Sequence, residues 1–162
     1  MRRLVRQIGE VGVAVVAAVG VHKYVGSPGV VQGASMLPTF PACCAVVWFN
    51  ALYSRLDVGD VVSAVSPGSS PHDAVGIVKR VRGLPGDVVY NEENQSFVII
   101  PEGHLWLLGD NPAESRDSRS YGPIPISSVH AKVAFQIFPV PRSIPSLPQS
   151  ELDRIRIGYA KI

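Results

Sequence analysis

Two residue types in this chain could do chemistry together, a serine at position 35 and a lysine at position 79. Ser35 lies in Gly33-Ala34-Ser35-Met36-Leu37-Pro38-Thr39, between a flexible glycine and a proline-stiffened turn. Alone, such a stretch is a loop with a serine in it. A serine hydroxyl is a weak nucleophile and needs a base beside it. Histidine is the usual base, and there are four. His22 lies beside an apolar segment, His72 in a Pro/Ser/Gly turn, His104 just before a strand and His130 at the start of one. None has a context that calls for an orienting carboxylate, so each reads as a solvated loop or strand-end residue.

Lysine is the other base. Lys79 interrupts the hydrophobic stretch Val75-Gly-Ile-Val-Lys-Arg-Val81. Side chains alternate across a strand, so Val75, Ile77, Lys79 and Val81 share one face while Arg80 and Arg82 take the other. Two readings follow. Lys79 is an edge-strand lysine whose stem packs and whose ammonium reaches water, or it is a desolvated amine. Burial disfavours the charged form, which would make a neutral amine available as a general base near neutral pH. A Ser–Lys pair is a known variant of nucleophilic catalysis. The third piece is the polar loop from Gly109 to Pro123, which contains Ser115, Asp117 and Arg119. It is either a solvated loop held by Asx turns and an Asp117–Arg119 pair or a functional one, as loops of this length often are.

The elements that must hold these residues are short strands. The 162 residues suffice for one domain with a sizeable core. Hydrophobic residues make up 46% and charged residues 17%, the balance of a packed chain. Strands are expected at 43–49, 61–65, 74–81, 88–90, 97–100, 105–108 and 129–137, separated by Gly/Pro/Asx turns, with hairpins across 66–73 and 91–96. That spacing predicts a mainly β fold, an antiparallel sandwich or irregular barrel. Ahead of it, Arg2, Arg3 and Arg6 precede an 11-residue apolar run, Val11–Val21. A bilayer span needs roughly 20 residues. Residues 1–31 therefore read as a short apolar anchor helix, a cleaved targeting segment or an interfacial helix. The β-domain is expected over 32–140. A Pro-rich strap and a short helix near Glu151–Ile157 are expected over 141–162. Cys43 and Cys44 are adjacent, and a bridge between neighbours closes almost no loop, so they read as free thiols. No metal or other cofactor is expected. A net charge of +2 without a basic block gives no reason to expect nucleic acid.

Three blocks in order then carry a resemblance: Ser35-Met-Leu-Pro-Thr39, Lys79-Arg-Val-Arg-Gly-Leu-Pro-Gly-Asp87, and Gly109-Asp-Asn followed by Ser115-Arg-Asp-Ser-Arg-Ser-Tyr-Gly-Pro123. Together with Gly59-Asp-Val-Val62 they resemble the type I signal peptidase family of Ser/Lys proteases over roughly residues 30–140. The small size and the Asp117–Pro125 stretch are most similar to its mitochondrial inner membrane branch, and there to the first of two catalytic subunits. The resemblance implies a signal-peptidase-like β fold in which Ser35 is the nucleophile and Lys79 the general base. Ser115 would orient the lysine, and Asp117 and Arg119 would form a structural ion pair behind it. Ser35 N–H would serve the oxyanion, with Met36 and Gly33 in the supporting loop. Some bacterial members carry a serine at the position of Gly33, a donor this chain lacks. Precursor proteins with N-terminal sorting segments, membrane lipid and a second peptidase subunit in a heterodimer would be the partners. The catalytic domain would face the intermembrane space. A bacterial-type general signal peptidase and a non-catalytic partner subunit are the alternatives.

Overall fold

The computed structural model describes residues 26–68 and 76–148. The expected N-terminal helix, His22, His72 and the expected helix near 151–157 lie outside the described residues. Ten strands follow in chain order: β1 Gly26–Val31, β2 Ala45–Asn50, β3 Val61–Val65, β4 Gly76–Gly83, β5 Val88–Asn91, β6 Ser96–Ile99, β7 His104–Leu108, β8 Ile124–Pro125, β9 Val129–Phe138 and β10 Arg142–Ser143. The one α-helix among the described residues is α1, Ser118–Tyr121.

The main sheet is antiparallel in the order β1-β2-β9-β3-β4-β7-β8, with β10 paired to β9. β5 and β6 form a separate hairpin. Strand alternation splits the core between the two faces. On β3, Val61 joins Val31, Met36, Phe40, Ala45, Val47 and Val133, whereas its neighbour Val62 joins Ala64, Val81, Leu105, Leu107, Ile124 and Val129. β4 divides in the same way, with Val78 against the first cluster and Ile77 against the second. The expected β fold and its hairpins are therefore present.

Two expectations change. Residues 26–31, assigned to the N-terminal segment, form β1 and pair with β2 in register from Gly26↔Asn50 to Val31↔Ala45. Cys43 and Cys44 are not free thiols. They are joined to each other in the exposed turn before β2. Cys44 has φ 64°, a left-handed conformation that turns adjacent side chains to the same side and starts the strand two residues later than the apolar run suggests.

After β10 the chain runs as an extended strap to Pro148, with Leu147 buried under it. It follows the route expected of a Pro-rich segment.

Candidate active site

Ser35 sits in a 3-10 turn, Ala34–Met36, between β1 and β2. Met36 is 1% exposed in the first core cluster and anchors the turn from below. Leu37 N–H donates to Ala34 O, and this is the turn's own hydrogen bond. The N–H groups of Ser35 and Met36 precede it in the ladder and donate no hydrogen bond among the described residues. Gly33 caps the turn at φ 104°, where a side chain would be strained, and its N–H donates to Ala42 O. It contributes no hydroxyl to the loop.

Lys79 projects from the middle of β4, opposite Val62 on β3, and is 4% exposed. The reading in which the ammonium reaches water is thereby excluded. Burial pulls its amine below the ordinary lysine value. The negative charges of Asp117 and Asp110 oppose that shift, and the positive charge of Arg119 adds to it. Ser35 and Lys79 line one cavity of about 160 Å³, together with Val30, Val31, Gln32, Gly76, Ile77 and Val78. No hydrogen bond joins the Ser35 hydroxyl to the Lys79 amine among the described residues. Catalytic hydrogen bonds are commonly long until substrate closes the site.

The cavity lies between two open strand edges. β1 ends the sheet, so one of its edges is unpaired among the described residues. β4 pairs with β3 through residues 76–80 but with β7 only from Arg80 onward, which leaves the other edge of 76–79 free.

The polar loop closes the site from a third side. Asp117 is fully buried. It accepts from Arg119 Nε at 2.9 Å and Nη2 at 2.8 Å, from Ser115 Oγ at 2.6 Å, and from Gly109 N–H at 2.9 Å. Burial alone would raise its pKa. These bonds, Arg119 foremost, outweigh burial and hold the carboxyl below the usual range. Ser115 thus spends its proton on Asp117 and keeps its lone pairs as acceptors. Asn111 grips the Ser35 turn, its backbone N–H donating to Ser35 O and its side-chain amide to Ala34 O. Gly109 makes this closeness possible. A Cβ there would overlap Ser115 Oγ and stand 2.5 Å from Ser35 O.

Sequence reasoning missed a second buried network. Arg80, next to the lysine, is 2% exposed and donates to Asp110 through Nε and Nη2, to Thr39 Oγ1, and to the carbonyls of Gly59 and Pro145. Thr39 closes the triangle by donating to Asp110 at 2.6 Å. The signal available was an arginine inside a hydrophobic strand. Its partners lie 30, 41 and 65 residues away, so no local pattern could name them. Tyr121 was also unassigned. Its hydroxyl is buried without a hydrogen-bond partner, and burial, then the charge of Asp117, pushes it up to about 12. Of the described histidines, His130 is exposed and His104 pairs with Glu102 O, and neither lines the cavity. No group of metal-ligating side chains occurs among the described residues.

The family model described as signal peptidase, peptidase S26, matches residues 4–99 and 90–138. Mitochondrial inner membrane protease subunit 1 of Schizosaccharomyces pombe is 38% identical, over 75% of this chain and 79% of its own. The human protein of that name is 38% identical over 73% of each chain. Subunit 2 of the Danio rerio protease is 35% identical, over 69% of this chain and 64% of its own. A solved structure, signal peptidase I of Enterococcus faecalis V583, is 24% identical at a TM-score of 0.38, covering 48% of this chain and 96% of that one.

Proposed function

This chain belongs to the S26 signal peptidase family, a serine endopeptidase of the mitochondrial inner membrane, and from that premise we propose that Ser35 and Lys79 cut N-terminal sorting segments from precursor proteins. The observation that supports the assignment is the shared cavity, lined by both Ser35, on a sharp turn, and the buried Lys79.

The precursor segment enters as an added strand between the free edges of β1 and β4, held by its backbone. Ser35 Oγ attacks the scissile carbonyl carbon, and its proton passes to the neutral Lys79 amine. The oxyanion is met by the free N–H of Ser35, beside that of Met36. The tetrahedral species collapses, the C–N bond breaks, and Lys79 returns the proton to the leaving amine. Water, deprotonated by Lys79, then hydrolyses the acyl-enzyme, restoring the serine hydroxyl. Ser115 accepts a hydrogen bond from the amine and aims its lone pair at Ser35. Asp117 and Arg119 fix Ser115.

Exposed apolar residues support a membrane-facing side next to the cavity. On the sheet face away from the first core cluster, Val30 pairs with Val46, which pairs with Phe138, while Pro28, Trp48 and Phe135 form the adjacent row. Trp48 and Phe135 stack at 6.3 Å, and Val30, Phe135 and Phe138 are exposed. Such an apolar face rests on lipid, with the residues ahead of β1 as the anchor and the catalytic domain on the intermembrane-space side. A second S26 chain completes the complex, as the relatives' names of subunit 1 and subunit 2 suggest.

The test is release of the sorting segment from a membrane-inserted precursor by Ser35→Ala and Lys79→Ala. Each is expected to lose all measurable cleavage while keeping the wild-type melting temperature or exceeding it. Full activity in either variant refutes the pair.

A further inference from the structure

The β5–β6 hairpin stands apart from the main sheet and presents two different faces. Its inner side packs through Val89, which approaches Gly83 of β4. Its outer side carries the directly opposed pair Tyr90 and Phe97, with ring centroids 5.2 Å apart. The next pair on the same side is Val88 and Ile99. Tyr90, Phe97 and Ile99 are 52%, 68% and 70% exposed. Two-stranded hairpins are marginal in water without something to cover an apolar face, and grouped exposed aromatics mark contact surfaces.

The charge around this face restricts what can cover it. Residues 84–102 contain Asp87, Glu92, Glu93 and Glu102 and no lysine or arginine, in a chain whose net charge is +2. An acidic rim is repelled by an anionic lipid surface, which attracts basic segments instead. It is also repelled by a second copy of itself packed face to face, since like charges across an interface oppose association. The complementary occupant is a different protein with an apolar patch ringed by lysine or arginine.

The hairpin also touches the catalytic loop. Asn91, buried at its tip, donates from Nδ2 to Arg119 O at 2.9 Å, and Ser120 Oγ donates to Glu93 at 3.1 Å. Arg119 is the residue that holds Asp117. None of the hairpin's residues lines the Ser35–Lys79 cavity. A partner can therefore sit on the hairpin without blocking the precursor's path and still bear on the loop that fixes Ser115.

We infer that the outer face of the β5–β6 hairpin is the docking surface for the second S26 chain of the complex, whose facing patch should then be rimmed by lysine or arginine, and that docking there steadies the Asp117–Arg119 loop through Asn91. This rests on the reading of the protein as one subunit of a peptidase complex. It places the two apolar faces of the domain in different roles, the β1-β2-β9 face on lipid and the hairpin on protein.

The experiment uses the full chain in its own membrane, with photoreactive p-benzoylphenylalanine replacing Phe97 in one preparation and Phe138 in another. Crosslinked products are identified by mass spectrometry. The expected result is a second S26 chain attached at position 97 and phospholipid at position 138. Lipid, a precursor, a second copy of this chain or no product at position 97 overturns the assignment. Alongside it, Phe97→Glu with Ile99→Glu is expected to weaken association at least tenfold in detergent, read as complex mass by light scattering, because truncating central aromatic contacts typically costs that much. The melting temperature of the single chain should not move, since both side chains are mostly exposed. A wild type that runs as a single chain sinks the complex itself. A wild-type complex that survives the double substitution sinks only the surface. If both stand while Ser35→Ala still cuts, the fault lies with the catalytic pair.

Discussion

Replacing Gly109 with alanine tests how the site is assembled. Gly109 has no positive φ, so its backbone accepts a side chain without strain. On chain entropy alone, Gly109→Ala would stabilise the fold by about 0.4–1 kcal/mol. The obstacle is space. The added Cβ overlaps Ser115 Oγ and stands 2.5 Å from Ser35 O, where ordinary contact begins at 3.4 Å. The nucleophile turn and the catalytic loop must therefore separate by about 0.9 Å, the difference between those two distances. Overpacking of this kind costs about 1–3 kcal/mol. The net loss is about 1–2 kcal/mol after the entropic gain is set against it. For a chain of this size that lowers Tm by about 2–8 °C. The catalytic effect is larger, because a shift near 1 Å of reacting groups costs about 100-fold in rate. The assay is cleavage of a membrane-inserted precursor at 20 °C, with circular dichroism melts beside it. A folded Gly109→Ala variant within threefold of wild-type kcat/KM would refute the argument that Ser35 and Ser115 are held by direct contact across this glycine.

On the proposed mechanism, Ser115→Ala removes the acceptor for the lysine amine, and it also removes one donor to Asp117. With a charge-assisted hydrogen bond worth about 1.5–3 kcal/mol, kcat should fall roughly 10- to 100-fold with KM unchanged in steady-state kinetics. Arg80→Ala leaves Asp110 buried without its main partner. Breaking a buried pair costs about 3–5 kcal/mol, which predicts a Tm drop of about 6–20 °C by calorimetry, and a drop under 3 °C would contradict it. Folding lowers the proton affinity of Lys79 below its ordinary 10.5. The unfolded chain thus holds a proton that the folded one lacks, and stability falls as pH drops from 10.5 through the folded value. Lys79→Met should therefore be more stable than wild type in urea at pH 7 and inactive. Asp110 and Asp117 are both held below 3.8. Their contribution is fully present above that pH and lost below it, so their share of the denaturation midpoint should hold steady down to about pH 4 and then fall, a drop that Asp117→Asn should shrink.

Much of the fold was legible because its signals are local. β3 matches the Val61–Val65 run residue for residue, and the hairpin at 88–99 follows from two short runs around a polar turn. β1 was not legible. Gly26-Ser-Pro-Gly has weak strand propensity, and it pairs because its glycines let β2 approach. A Cβ on Gly29 would strike the Phe49 ring, and one on Gly26 would strike Phe49 O. The cysteine bridge was missed because it depends on one left-handed residue, Cys44, which nothing in the sequence marks. At the site, alternation placed Lys79 on the apolar face, where it is buried. The same alternation put Arg80 on the opposite face and could not say that this face is also buried. That required Asp110 and Pro145 to arrive from distant parts of the chain.

Adjacent positions on β4 thus bear two cations of opposite temperament. The amine at 79 can lose its proton, whereas the guanidinium at 80 never does at ordinary pH. A slip of β4 by one residue would exchange them. The serine would then face a group unable to accept its proton, and the Asp110 pocket would hold a shorter cation with no planar fork. The alignment of β4 with Val61 and Val62 of β3 therefore acts as a chemical specification as well as a mechanical one. A misregistered molecule would keep its composition and charge, lose the packing of β4 on both faces, and be an inert protein.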